Sequence, residues 1–162
     1  MRIRRILSAC ALALTAATTA VIVPSTAHAA GQAHYWANVN TGSREGAGTD
    51  DYVWIQLNGT AGSSGWLYLD TPGRDDFEAG RSDGFDINLA DLGTVTSIDV
   101  SVSPYGRNPD WYLNGIGLYT TNAAGEHSSR WFPWYGWLVG ETQVHLLPVS
   151  YTHLTLPTNR EV

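Results

Sequence analysis

The sequence predicts an all-β protein, an antiparallel β-sandwich built from eight short strands. Three observations support this fold class. No stretch of useful length repeats its apolar residues at helical spacing. Segments of alternating apolar and polar residues recur instead, and Gly, Pro, Asn and Asp separate them about every eight to twelve residues. Eight such strands joined by polar turns favour two sheets packed face to face.

Each predicted strand is a segment with strand-forming residues between two turn signals. In the second, Val53, Ile55 and Leu57 share one side of the chain, and in the fifth Ile98 and Val100 do the same, so both segments are expected to turn one face to a core. In chain order, the predicted strands are His34–Asn40, Asp51–Asn58, Gly65–Asp70, Gly84–Asn88, Val95–Ser103, Trp111–Thr121, Glu126–Phe132 and Thr142–Leu147.

The first twenty-nine residues have the composition of a cleavable signal peptide. A basic start at residues 2–5 precedes an uncharged stretch at 6–23 that is rich in Ala, Leu, Val and Thr. Pro24 ends that stretch, and Ala27-His28-Ala29 is the small-x-small pattern that signal peptidase recognises. We therefore expect cleavage after Ala29, with Ala30 the second choice, and a secreted, extracellular protein with no transmembrane segment in its mature chain.

Two other interpretations of this segment stay open. An uncleaved membrane anchor would need residues 6–23 to cross a bilayer, for which they are barely long enough. Residues 7–10 (LSAC) spell a lipobox that would make Cys10 a lipid anchor, although most of the apolar stretch follows it. Cleavage after Ala29 removes Cys10, the one cysteine of the chain, so the secreted domain would fold without a disulfide.

The last fifteen residues change character abruptly after a strand-like segment. Residues 148–162 resemble a translated sequencing-adapter string, and the alternative is a genuine flexible tail. We therefore expect a non-native tail at 148–162 and one domain at residues 30–147, which is long enough to bury a hydrophobic core.

Residues 30–147 are strongly acidic. They contain no lysine, five arginines and fourteen acidic residues, which gives a formal net charge of −9. Binding to a phosphate backbone needs clustered Arg and Lys, so this balance argues against a nucleic-acid partner. It favours a surface that binds cations.

Two segments rich in glycine and acidic residues carry the most specific pattern. Residues 41–57 (TGSREGAGTDDYVWIQL) contain a glycine-rich turn, then Asp50 and Asp51, then a strand. Residues 69–85 (LDTPGRDDFEAGRSDGF) place four acidic residues after a Pro-Gly turn. Carboxylates and exposed backbone carbonyls are the oxygen ligands that calcium prefers. Taken alone, each segment is also compatible with an ordinary solvated turn.

Together these segments resemble the PLAT (LH2) domain, the β-sandwich of lipoxygenases, lipases and clostridial α-toxin. The order and spacing of three more blocks agree, so the resemblance covers nearly the whole domain: DLGTVTSIDVSV at 91–102, PDWYLNGIGLY at 109–119 and RWFPWYGWL at 130–138. The resemblance implies two four-stranded antiparallel sheets. It also implies a non-catalytic role in docking to a lipid surface or a protein partner, often assisted by calcium.

The resemblance further implies a set of calcium ligands in the two acidic segments. Asp76 directly precedes Phe77 and matches the family's acidic position there, with Asp75 the alternate because this loop is apparently one residue longer than the toxin-like form. A position that is acidic in some members is Gly46 here, which argues against several calcium sites. The positions that match the metal-binding members are Gly48, Thr49, Asp50, Thr71, Gly73, Asp75 and Asp76.

The aromatic residues divide into two groups. Trp54 and Trp66 lie in predicted strands near the acidic segments, and Trp134 takes a position that is often Cys in relatives. We expect these three tryptophans to be the side chains that contact a ligand or membrane. The aromatics expected to pack in the core, between or across the sheets, are Trp111, Trp131, Phe132 and Trp137.

The sequence offers little support for catalysis. His34, His127 and His145 are scattered without zinc-ligand spacing, and residues 62–65 (GSSG) lack the extra residue of a nucleophile elbow. We therefore expect a monomeric binding module that is not an enzyme. Two other functions stay open: a targeting domain of a larger secreted enzyme such as a lipase, and an extracellular structural or stress-protective protein.

Overall fold

The computed structural model describes residues 31–105 and 110–149, and every structural statement below concerns these residues. The predicted signal peptide and residues 150–162 of the predicted tail lie outside them. The described residues form nine strands, and none of them belongs to a helix long and apolar enough to cross a membrane. The strands are β1 (Gln32–Thr41), β2 (Tyr52–Gly59), β3 (Gly62–Ser63), β4 (Leu67–Leu69), β5 (Ser82–Ala90), β6 (Val95–Ser103), β7 (Asp110–Thr121), β8 (His127–Val139) and β9 (Thr142–Leu146).

The strands form two antiparallel sheets. The first has the order β5-β1-β7-β8, and the second has the order β3-β2-β6-β9, with β4 also paired to β2. The predicted all-β sandwich is therefore confirmed, with five strands in the second sheet instead of four. The extra strand is β3, in which Gly62 and Ser63 pair with the last two residues of β2. A two-residue strand has no alternation to detect, so the sequence pattern could not reveal it.

A single hydrophobic core lies between the sheets. Val53, Ile55 and Leu57 of β2 are fully buried, as the alternation predicts, and Ile98 and Val100 of β6 lie beside them. The facing sheet contributes the three bulkiest fully buried side chains, Trp111, Tyr35 and Phe132, together with Leu113, Ile116 and Leu138. Because one face of each strand supplies most of this core, the alternating pattern correctly predicted the inward residues of β2 and of the second half of β6.

The long strand β8 departs most from the prediction. It continues seven residues beyond Phe132, because the chain takes a bulge opposite Leu113 and Gly115 of β7 rather than ending there. Within the bulge, Tyr135 adopts a left-handed conformation with φ of 53°. Phe132 is buried in the core as expected, but Trp137 is exposed and Trp131 is half-buried on the outer face, so their expected packing between the sheets is wrong.

Trp111 connects the core to the loops at one end of the sandwich. Its ring is fully buried, as expected, and its indole Nε1 donates a hydrogen bond to Thr41 Oγ1 at 3.0 Å. Beside it, the backbone N of Tyr112 donates to the carbonyl of Ala47, and the N of Gly42 donates to the carbonyl of Tyr112. These bonds fix the start of the β1–β2 loop against β7, and that loop forms one wall of the candidate site.

Candidate functional site

The two acidic segments of the sequence are neighbouring loops in the structure. The β1–β2 loop (residues 42–51) contacts the β4–β5 loop (residues 70–81) through two backbone hydrogen bonds, from Gly80 N to Gly42 O and from Thr49 N to Phe77 O. A Cβ atom on Gly48 would lie 3.1 Å from the Phe77 carbonyl oxygen, tighter than a side chain normally allows. Glycine at this position therefore permits the close approach of the loops.

Phe77 anchors the second loop in the core. Its backbone is left-handed, with φ of 62°, which costs a residue other than glycine about 1–2 kcal/mol. Its buried ring packs edge-on against Trp111 and stacks with Phe85, at centroid distances of 5.3 and 5.7 Å. Its backbone N also donates to Asp83 Oδ2 at 2.8 Å. These contacts hold the strained residue and hence the shape of the loop.

Arg74 lies between two buried carboxylates, Asp76 of the same loop and Asp83 at the start of β5. Its guanidinium pairs with Asp83, which is fully buried, and its Nε lies 3.4 Å from Asp76 Oδ1. Asp76 Oδ2 accepts a hydrogen bond from the backbone N of Thr71 at 2.6 Å. Asp76 Oδ1 is buried and accepts no hydrogen bond with good geometry, so it is an oxygen whose bonding capacity is unfilled.

A cleft of about 170 Å³ opens between these loops. Asp51 borders it and is itself buried, with its Oδ1 accepting a hydrogen bond from the backbone N of Tyr105 at 2.8 Å. Arg74 is the one basic residue among the described residues that line the cleft. Its acidic lining residues are Asp50, Asp51, Asp70, Asp75 and Asp76. A cleft with this excess of carboxylate oxygens attracts a hard cation.

Three tyrosines form a rim on one side of the cleft. The ring of Tyr52 lies 4.4 Å from that of Tyr105 and 5.6 Å from that of Tyr68, and Tyr68 also packs against Trp54 at 4.9 Å. Partial desolvation raises the pKa of Tyr52, and its hydrogen bond to Tyr105 adds to the shift. Desolvation followed by the charge of Asp70 raises the pKa of Tyr68. Both hydroxyls therefore stay protonated near neutral pH and can donate hydrogen bonds.

The structure brings together four of the seven positions expected to bind metal. Thr49, Asp50, Asp75 and Asp76 line the cleft, whereas Gly48, Thr71 and Gly73 belong to the same loops without lining it. The set of expected metal positions left out Asp51, although the sequence pattern had singled it out beside Asp50, and sequence reasoning missed Asp70 and the tyrosine rim. The sequence did contain a signal for the rim. Tyr52 and Trp54 occupy the outward positions of an alternating strand, where an aromatic ring lies outside the core.

The three tryptophans expected to contact a ligand do not lie together. Trp54 is half-buried on β2 and reaches the cleft only through its contact with Tyr68. Trp66 directly precedes β4 and is 42% exposed. Trp134 is 37% exposed but belongs to β8 of the other sheet.

The lining of the cleft fits calcium better than zinc. Within residues 31–105 and 110–149, no three side chains of His, Cys, Asp or Glu are grouped closely enough to hold a metal by themselves. A cation here would need backbone oxygens and water to complete its coordination, as calcium accepts and zinc in structural sites does not. The unfilled, buried Asp76 Oδ1 and the all-oxygen lining suit calcium chemically.

These features define the class of protein: an antiparallel β-sandwich whose candidate binding site is built from acidic loops at one end. The PLAT/LH2 domain family model matches residues 35–147, so the chain belongs to the PLAT/LH2 family.

Relatives and solved structures agree with this assignment. The chain is 32% identical over 68% of its length to an allene oxide synthase-lipoxygenase protein of Plexaura homomalla, and it covers 10% of that protein. It is 30% identical over 79% of its length to the mouse (Mus musculus) lipoxygenase homology domain-containing protein 1, of which it covers 6%. The crystal structure of coral 8R-lipoxygenase, described as activated by calcium through a C2-like domain, superimposes with a TM-score of 0.61 at 29% identity, covering 71% of this chain and 17% of that one.

The chain therefore spans only a small part of the relatives it matches. The PLAT domain is the non-catalytic module of lipoxygenases, so the match concerns that module and not the chemistry of the whole enzyme.

Proposed function

We propose that this protein is a secreted, non-catalytic PLAT module that docks to a lipid surface, with calcium bound in the acidic cleft. The observation that carries the proposal is the cleft itself, where five aspartates lie beside three exposed tyrosines. The calcium activation attributed to the C2-like domain of coral 8R-lipoxygenase supports it, since that structure shares the fold at 29% identity.

Calcium would be held by the residues that already face the cleft. Asp50 and Asp75 are exposed to it, and Asp76 offers its unfilled Oδ1, while backbone oxygens of the two loops can complete the coordination. When bound, the ion supplies a double positive charge and open coordination positions for phosphate oxygens. Arg74 opposes the ion by its own charge, so we expect weak affinity, in the range of extracellular calcium modules, with Kd of about 0.1–1 mM.

Charge explains why docking needs the ion. A segment with a net charge of −9 is repelled by a membrane that carries anionic lipids. The five aspartates and Arg74 give the cleft lining a formal charge of −4, and one calcium ion halves it at the place where the tyrosine rim is exposed. Tyrosine rings favour the membrane–water interface, where the ring contacts acyl chains and the hydroxyl contacts headgroups. Tyr105, which is 71% exposed, is the side chain best placed to enter that interface.

The proposal is tested by co-sedimentation with vesicles of phosphatidylcholine and phosphatidylserine in 1 mM calcium or in EGTA. We expect the wild-type protein to pellet only with calcium, and the double variant Asp50→Asn/Asp75→Asn to stay in the supernatant. Glu126→Gln is the matched control, because Glu126 is an exposed acid outside the cleft lining and its loss removes the same type of charge. Equal pelleting with and without calcium, or calcium-dependent pelleting of the double variant, contradicts the proposal.

A further inference from the structure

The outer face of the β5-β1-β7-β8 sheet carries aromatic side chains that the cleft does not use. Trp36 of β1 and Tyr119 of β7 are directly opposite each other in the register and are 37% and 52% exposed. Trp131 of β8 lies one row away, opposite Gly117. These residues alternate with buried neighbours, so their rings lie outside the sandwich, on the sheet that does not contain β2 or β4.

Glycines beneath these rings make the face flat. A Cβ atom on Gly84 would clash with the indole of Trp36, and a Cβ atom on Gly115 would lie 2.7 Å from Trp131 Cζ2. Each indole therefore lies against the bare backbone of the neighbouring strand and presents its face to solvent. Covering a glycine in this way stabilises a sheet, which accounts for where the rings lie. It does not account for the space left between two of them.

An open groove of about 530 Å³ separates Tyr119 from Trp131. Gly117 forms its floor, and a Cβ atom placed there would lie 3.7 Å from both Trp131 Cε3 and Tyr119 Cε2. The groove thus has a backbone floor and aromatic rings on two sides, and its volume lies within the usual range for small-ligand sites. Its other lining residues are Ser128, Ser129, Arg130 and Val149.

The lining selects the chemistry of the ligand. Val149, from the segment expected to be a non-native tail, is the one aliphatic side chain among the lining residues that the structure describes, so an acyl chain or an apolar protein segment would find little aliphatic surface. None of these lining residues carries a carboxylate, so a metal cation would find no acidic ligand. Arg130 lies opposite Leu118, whose side chain is buried in the core, so the register places Arg130 on the other face of β8 from Trp131. A sugar ring has a C–H face that stacks on the electron-rich face of an aromatic ring, and its hydroxyl edge bonds to Ser.

We propose that this groove binds a neutral polysaccharide, with one pyranose ring over Gly117 between Tyr119 and Trp131 and its hydroxyls bonded to Ser129. The net charge of −9 on residues 30–147 favours a neutral glycan over an acidic polymer. The site lies on a different sheet from the acidic cleft, so it neither needs calcium nor shares residues with the proposed lipid-docking function.

The test measures retention of the full-length protein on insoluble cellulose, chitin and xylan, all in EGTA. We expect retention on at least one of the three, weakened about ten-fold in Tyr119→Ala, because a stacking ring contributes on that order. Gly117→Val fills the groove without removing a contact, and the backbone at Gly117 is not left-handed, so it is expected to abolish retention while keeping the melting temperature. Gln143→Ala, an exposed change on the other sheet, is the matched control and should bind as wild type.

Three results overturn the proposal. The first is no retention on any of the three polysaccharides, and the second is retention that survives both Tyr119→Ala and Gly117→Val. The third is calcium-independent binding to phosphatidylcholine vesicles that Tyr119→Ala removes, because that result would assign the groove to lipid. If Gly117→Val fails to fold, Tyr119→Ala alone decides, because its ring is half exposed and its loss leaves no core cavity. Loss of calcium-dependent vesicle pelleting in Asp50→Asn/Asp75→Asn leaves the result on polysaccharides unaffected.

Discussion

Asp83, at the start of β5 beside the acidic loops, is fully buried, and two partners hold its carboxylate there. One oxygen pairs with the Arg74 guanidinium, and the other accepts the backbone N–H of Phe77. The second bond holds Phe77 in its left-handed conformation, so Asp83 fixes the loop geometry on which the cleft depends. Asp75, only eight residues earlier, is exposed and shares none of these contacts.

This difference gives a prediction at the scale of single residues. Asp83→Ala removes the acceptor of the Phe77 backbone N–H and leaves Arg74 without its buried partner. It should therefore lower the free energy of unfolding by about 2–3 kcal/mol. This is less than breaking a fully buried ion pair usually costs, because Arg74 is partly solvated. Urea denaturation followed by tryptophan fluorescence measures it. Asp75→Ala, in the loop before β5, is the control and should change stability by less than about 0.5 kcal/mol. Similar values for the two variants would show that Asp83 does not hold the loop.

At the scale of elements, Asp91 joins two turns at the end of the sandwich opposite the cleft. One carboxylate oxygen accepts the backbone N–H of Gly93, in the connection between β5 and β6, and the other accepts that of Ala123, in the connection between β7 and β8. These hydrogen bonds, led by the one from Ala123, lower the pKa of Asp91. The folded state therefore favours the ionised carboxylate more than the unfolded chain does.

The lowered pKa sets the pH at which this connection fails. The stabilisation is fully present above the unfolded pKa of about 3.9 and is lost as pH falls through the lower folded pKa. Wild type should therefore be more stable than Asp91→Asn at pH 6, and the difference should shrink as pH falls below about 4. Urea midpoints measured between pH 6 and pH 2.5 check this. A difference that stays constant over that range would assign the effect of the substitution to packing instead.

The contact between the end of β2 and the β5–β6 connection gives a second prediction at the scale of elements. A Cβ atom on Gly59 would clash with the backbone carbonyl of Leu92, which cannot move aside as a flexible side chain could. Gly59→Ala should therefore force β2 and the β5–β6 connection apart and cost about 2 kcal/mol. Gly117→Ala is the matched control, because its Cβ meets atoms no closer than 3.7 Å and the substitution should be neutral or slightly stabilising. Equal effects on the urea midpoint would contradict the steric argument.

The elements that sequence predicts well are those with strict alternation. Val95–Ser103 has the same bounds in the prediction and in β6, because from Ile98 onward its apolar residues are buried and the polar residues between them are not. The extension of β8 was missed because its bulge breaks the alternation at Trp134 and Tyr135. The acidic cleft was partly predictable from Asp50 and Asp76. The aromatic groove was not, since the contact between Gly117, Tyr119 and Trp131 depends on the register of β7 against β8.

At the scale of the whole molecule, charge and fold together determine how the domain responds to ions. Residues 30–147 carry a net charge of −9, and a compact acidic chain is destabilised by its own repulsion. Any salt screens that repulsion to some extent. A calcium site in the cleft would do more, because it binds the folded state only and the unfolded chain does not bring the two loops together. The two effects differ in their dependence on the identity of the ion.

Melting curves separate screening by salt from the binding of calcium. With a Kd of about 1 mM, 10 mM calcium should stabilise the folded protein by about 1.4 kcal/mol, which raises Tm by about 5 °C for a domain of this size. Magnesium at 10 mM should do much less, since it needs near-ideal octahedral geometry and keeps its waters, and sodium chloride of matched ionic strength reports screening alone. Asp50→Asn/Asp75→Asn should respond to calcium only as it responds to salt. An equal rise with magnesium, or an undiminished rise in the double variant, would show that the acidic cleft screens charge without coordinating an ion.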